Sequence, residues 1–237
     1  MNEASPGGPG LVNRVIGIIV SPRETFEQVV ARPRWLGVLL LTTLTTTFLM
    51  TAFVSTKVGQ DAWIEQSIRG QEQWGRKVGD KQMEMLEKMA PFAPLMVGIP
   101  MLIAAPIVNV VMSAILFGVF KVVTRSAAGF KQAFAVVVHA GVIGLVHMLT
   151  GVPLNYIRGA MSGSTSLAVF LPSEEPSFFT ALAGAVDPFV IWWIVVLATG
   201  LAVLYKRRTA PIASVLLGIY GIVVVIIAAV VGLRGGA

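Results

Sequence analysis

The chain has 237 residues, 55% of them hydrophobic and 13% charged, with a net charge of +6. Soluble domains carry about 25% charged residues, so too little polar surface remains here for a soluble globule, and the composition points to an all-α integral membrane protein. The absence of cysteine excludes disulfides, thiolate metal sites and cysteine nucleophiles, and in a membrane protein the positive excess bears on topology and anionic lipid before nucleic acid.

Residues 1–10, MNEASPGGPG, are expected to form a disordered tail. Leu11–Val20 is apolar but interrupted by Asn13 and Arg14, and no small-residue cleavage site follows. It is expected to be an interfacial amphipathic helix rather than a cleaved signal. Next comes SPRETFEQVVARPRWLG at residues 21–37. Ser21 is a candidate N-cap, Pro22 suits the first helical position, and Glu24 completes a Ser-x-x-Glu capping box. Phe26, Val29 and Val30 share one helical face. The expectation is a cytoplasmic interfacial segment over 11–34, with this apolar face in the lipid boundary. Arg23, Arg32 and Arg34 would lie at headgroups and Trp35 at the interface, anchoring the first span.

Five segments hold the roughly 20 apolar residues that a spanning helix needs: about 35–55, 100–123, 130–150, 187–205 and 211–233, together a membrane domain over 35–233. The second sits in an apolar stretch that is too long. From Phe92 to Val123 a straight helix would measure about 45–50 Å against a hydrocarbon core of about 30 Å. With Pro91, Pro94, Pro100 and Pro106 in it, a short interfacial piece near 91–99 and a kinked span from about 100 are expected. Between the first two spans, the 56–91 loop is the one sizeable polar segment. Trp63, Ile64 and Ile68 share one face and Met83, Leu86 and Met89 another, which predicts a short extracytoplasmic hairpin of two amphipathic helices and a candidate surface for a partner. Small residues at Gly141, Gly144, Ala198, Ala202, Gly218 and Gly221 are expected where helices approach closely.

Lys and Arg set the orientation. The N-terminal flank has Arg14, Arg23, Arg32 and Arg34, the loop after the second span Lys121, Arg125 and Lys131, and the loop after the fourth Lys206, Arg207 and Arg208. The opposite side has only Arg158 in its second loop and Arg234 in the tail, apart from the long 56–91 loop, whose basic residues are matched by acidic ones. The N-terminus is therefore expected in the cytoplasm and the C-terminus outside.

Several strings recur in a telling order: P-R-x-T-F at Pro22–Phe26, F-K-Q-A-F from Phe130, and D-P-F-V-I-W over Asp187–Trp192, which includes Phe189. Gly200–Leu201, a basic turn and Ala210 follow. The chain resembles the Yip1 domain family in its compact bacterial form, over about residues 14–232. The resemblance implies five membrane helices with a cytoplasmic N-terminus and the C-terminus on the far side, in a bacterial cytoplasmic membrane. Eukaryotic members, linked to Rab GTPases and vesicle traffic, carry a D-L-Y-G-P element and a Y-G-Y-S element; this sequence has neither, so that role is not carried over.

Ionisable and amide groups at membrane depth are functional candidates by default. They are Asn109, His139, His147 and Asp187. The histidines, eight apart, would lie about 80° and about 12 Å from each other on a helix, too far to share a metal, and no H-E-x-x-H is present. Asp187 before Pro188 reads as a helix N-cap. Asn109 reads as an interhelical hydrogen-bond donor. No nucleophile elbow, phosphate loop or dinucleotide fingerprint occurs. No catalytic residue, cofactor or metal is expected. The leading expectation is a non-catalytic organiser of membrane or partner proteins. Its partners would be anionic lipid at the basic flanks and a membrane protein or a second copy of the chain. The alternative is a small transporter or channel component with a conduit near Asn109, His139 and Asp187.

Overall fold

The computed structural model describes residues 10–72, 76–171 and 177–235, so the tail expected to be disordered lies outside it apart from Gly10. Among the described residues there are helices and no strands: α1 (Leu11–Val20), α2 (Pro22–Ala31), α3 (Leu36–Val54), α4 (Lys57–Glu72), α5 (Asp80–Met89), α6 (Ala93–Thr124), α7 (Phe130–Ala140), α8 (Val142–Arg158), α9 (Phe178–Ala185), α10 (Pro188–Tyr205) and α11 (Thr209–Gly235). Five stretches among them are long and apolar enough to cross a membrane: α3, the run ending in α6, α7 with α8, α10, and α11. All-helical architecture suits a lipid environment, because a helix satisfies its own backbone groups.

The second apolar segment shows how proline behaves here. Instead of a separate interfacial piece over 91–99, a 3₁₀ turn at Ala90–Phe92 leads into α6, 32 residues without a break. Pro94 sits in its first turn, where the missing N–H costs nothing. Pro100 and Pro106 each remove one donor from the interior, which membrane helices tolerate. At about 1.5 Å per residue α6 is about 48 Å long, more than the roughly 30 Å core. The third segment extends to Arg158 and is divided at Gly141. The backbone continues through that turn, with Gly141 N–H donating to Val137 and Leu145 N–H to Gly141.

The contacts divide the chain into two compact units, one of residues 1–45, 102–146 and 192–217, the other of 46–101, 147–191 and 218–237. The core of the first joins Ile18 of α1, Phe26 of α2, Val38 of α3, Leu116 of α6, Val136 and Val138 of α7 and Leu201 of α10. Here the structure corrects the expectation for α2. Phe26 is 0% exposed, so its face packs into protein and not into the lipid boundary. The reason is a glycine: a Cβ on Gly200 would lie 2.6 Å from Val136 Cγ1 and 2.9 Å from the Phe26 ring, so α10 leaves room there for the phenyl group. The apolar stripe that stays open belongs to α1, through Val12, Ile16, Ile19 and Val20. The expected capping box at Ser21 does not form, since Ser21 makes no side-chain cap. Its N–H, which Glu24 would accept, already donates to Gly17 and closes α1.

The second unit is built on Phe53, Val54, Ala62 and Ala93, with Trp63, Val97 and Val152 against them. α4 and α5 are the two helices expected over 56–91. They carry ion pairs one turn apart, Lys57–Asp61, Arg69–Glu65 and Lys88–Glu84, worth about 0.3–0.5 kcal/mol each. Close approach falls at Gly98, whose Cβ would meet Thr51 Oγ1 at 2.8 Å, and at Gly59 against the Phe53 backbone. Among the described residues nothing lies within 4 Å of a Cβ at Gly144, Gly218 or Gly221, so those three do not mark a close helix approach. Ala198 and Ala202 are buried as expected. Neither α9 nor the 3₁₀ turn Leu167–Phe170 is anticipated from hydropathy.

Candidate functional site

In the second unit, three of the polar residues that matter come together at the start of α10. Asp187 precedes Pro188, and its Oδ1 accepts the Phe189 N–H at 2.8 Å, the cap that the Asp-Pro pair predicts. Its Oδ2 accepts the Thr165 hydroxyl proton. His147 Nε2 lies 2.9 Å from Thr165 Oγ1 and 3.5 Å from Asp187 Oδ2. Phe189 stacks on the imidazole with centroids 5.0 Å apart. Leu167 N–H donates to Val186 at 3.0 Å and holds the loop in place.

The proton inventory fixes the roles. A hydroxyl has one proton. Thr165 gives it to Asp187 and presents a lone pair to His147, so Nε2 carries the imidazole proton and donates. This is the reverse of a nucleophile–base pair, in which the ring nitrogen takes the hydroxyl proton. Both partners also meet the same ring nitrogen, whereas a triad uses opposite ones. The arrangement ties a loop and two helices together; it does not activate Thr165. Side-chain exposure is 36% for His147 and 9% for Asp187, so the cluster is reached from its histidine side.

His139 belongs to the first unit and has a different partner. It is 0% exposed. Nδ1 lies 2.7 Å from the Ala135 carbonyl, which requires the proton on Nδ1 and leaves a lone pair on Nε2. Arg14 Nη1 donates to that lone pair at 3.2 Å and also to the Arg34 carbonyl. Burial first, and then the nearby Arg34 charge, lower the Arg14 guanidinium from its ordinary value. A second clamp runs from Gln132 Nε2 to the Val30 carbonyl at 3.0 Å. α1, α2 and α7 are thereby joined by polar as well as apolar contacts. Asn109 donates to the Ala105 carbonyl one turn back in α6 at 2.8 Å, so the bond closes within its own helix where an interhelical one was expected.

The remaining sequence candidates fall as follows. Arg23, Arg32 and Arg34 are exposed. Trp35 is half-buried, its ring edge on Phe134 with centroids 5.0 Å apart. Phe130 opens α7 and stacks on Phe134 at 6.1 Å. Pro22 opens α2 and Trp192 packs against the first unit's core. Arg14, Gln132 and Thr165 escape sequence reasoning. Only Gln132 leaves a trace, as the third residue after the Gly129 cap, whose N–H it accepts at 2.9 Å. Among the described residues no group of three metal-ligating side chains forms.

Five apolar helical stretches and polar groups bonded within the chain define a polytopic α-helical membrane protein. The model of the Yip1 domain family matches residues 16–232; the chain belongs to that family. No curated protein and no solved structure matches it.

Proposed function

We propose that the protein is a non-catalytic membrane organiser, which holds a partner membrane protein or a second copy of itself while its basic flanks contact anionic headgroups. One observation carries this reading. Each polar group at membrane depth bonds to its own chain: Asp187 to Thr165 and the α10 amide, His147, though part-exposed, to Thr165, His139 to Ala135 and Arg14, and Asn109 to Ala105. Transport and catalysis need such groups free to face a substrate. The residues offered outward are of another kind. α5 has no buried residue and exposes Met83 and Met85, and methionine adapts to varied partner surfaces. The basic short loops support a cytoplasmic N-terminus with α4 and α5 on the opposite side of the membrane, and the compact form of the family supports a bacterial cytoplasmic membrane. α1 lies in the cytoplasmic interface with its open apolar stripe in lipid.

The test uses the natural lack of cysteine. A single Met85→Cys, crosslinked in native membranes, should give one discrete product, either with one other protein or with a second copy. Only monomer, together with proton or solute flux in reconstituted vesicles that His139→Ala or Asp187→Asn abolishes, would replace this reading with the conduit.

A further inference from the structure

A cleft of about 560 Å³ opens in the first unit between the start of α2 and the turn joining α10 to α11, with Arg23, Lys206, Arg207 and Arg208 around it and Glu27 as the one carboxylate. Ala202 and Val203 line it as well, so an apolar wall stands beside the cations. The α10–α11 turn is built to hold them. Lys206 N–H donates to Val203 and Arg207 N–H to Ala202, the paired bonds of a Schellman motif, whose left-handed position usually goes to glycine. Here that position is Lys206, with φ 53°. A lysine in the left-handed region costs free energy, and its effect is to fix three consecutive cations at the cleft. Across it, Arg23 is held by Glu27 at 3.6 Å, both well exposed.

We propose that this cleft is a binding site for a phosphate-bearing anion, with Arg23, Lys206, Arg207 and Arg208 gripping the phosphate. Four cations against one carboxylate leave a positive site that nothing within the cleft neutralises. Guanidinium groups match phosphate oxygens in pairs, and a lysine adds a point charge. The apolar wall suits a ligand with a greasy part next to its phosphate. A phospholipid headgroup and free phosphate share this chemistry, and the experiment separates them. The inference rests on one part of the proposed function, the contact of the basic flanks with anionic headgroups, and not on the partner-holding part, whose failure would be distinguishable because lipid counting and crosslinking are independent readouts.

The intact protein, purified in neutral detergent, is titrated with phosphatidylglycerol or phosphatidylcholine, and bound lipid is counted by native mass spectrometry. Inorganic phosphate is the second arm, read by thermal shift and by displacement of lipid. Wild type should retain phosphatidylglycerol over phosphatidylcholine. R207Q/R208Q should weaken that retention about tenfold or more, the loss expected of charge-assisted bonds. Arg23→Gln should weaken it less, and Glu27→Gln should strengthen it. K121Q/R125Q, which removes equal charge from another basic loop, should lower retention far less than R207Q/R208Q does. These side chains are exposed, and an unchanged melting midpoint without ligand checks the fold. Retention of phosphatidylglycerol that free phosphate cannot displace assigns the site to lipid. Millimolar phosphate binding that needs Arg207 and Arg208 assigns it to a soluble ion. Equal losses in R207Q/R208Q and K121Q/R125Q, or none in either, overturn the site.

Discussion

Gly200 is where the packing of the first unit can be put to its sharpest test. A methyl group there would stand 2.6 Å from Val136 Cγ1 and 2.9 Å from two carbons of the Phe26 ring. Neither neighbour can swing into solvent, because both are fully buried. Gly200→Ala should therefore cost about 1–3 kcal/mol, the usual range for overpacking, although alanine is the better helix former by about 1 kcal/mol. Val136→Ala alone removes two methyl groups, about 1.6 kcal/mol of burial at about 0.8 kcal/mol each, plus a cavity term. In the double variant the new methyl occupies space that Val136 has vacated. Its cost should fall below the sum of the singles by about 1 kcal/mol, well outside the additivity of independent sites. Thermal melting in detergent, followed by tryptophan fluorescence, suits the measurement, since Trp35, Trp192 and Trp193 pack against this core. A wild-type midpoint for Gly200→Ala, or strict additivity in the double variant, would refute the claim that α2, α7 and α10 interlock here.

Gly59→Ala should be more damaging than Gly79→Ala in the same melting assay. The first Cβ would meet the Phe53 carbonyl oxygen at 2.1 Å, a backbone atom that cannot rotate away, while the second meets open space. Asp187→Ala should cost about 1–2 kcal/mol from the cap and more from stranding the Thr165 hydroxyl, whereas Asp187→Asn, which keeps a cap oxygen, should retain most of the stability; equal losses would argue against the cap. Thr165→Val should cost about 1 kcal/mol or more by removing the hydroxyl that bridges Asp187 Oδ2 and the His147 N–H, which then meet only across 3.5 Å. With single cysteines in α1, Asn13→Cys should react with an aqueous maleimide much faster than Ile16→Cys, though both positions are exposed; equal rates would mean that the stripe faces water.

Hydropathy made the five spanning stretches legible, because length and composition alone decide whether a segment suits lipid. The Asp187 cap was legible too, since Asp-Pro is a local signal for a local bond. Periodicity was less informative about α2. It groups Phe26, Val29 and Val30 correctly but cannot say what that face meets, and the glycine that admits Phe26 lies far along the chain. The capping box failed for a comparably local reason, the end of α1 falling directly on Ser21 and using the N–H that the motif needs. The histidines show the limit most clearly. His139 is completed by an arginine on α1 and His147 by a loop threonine. Neither partner has a spacing relation to its histidine, and only the folded chain brings them within hydrogen-bond reach.

The burial of Phe26 also sets a timetable. α2 leaves the ribosome well before the surfaces it needs, Val136 on α7 and Gly200 on α10, are made. At about 5–20 residues per second, α2 must wait on the order of ten seconds or more before its phenyl ring has a home. During that interval only the earlier parts of the same core, such as Val38 on α3 and Leu116 on α6, become available to it. Gly200 is thus the residue whose arrival first allows the Phe26 face to reach its final packing.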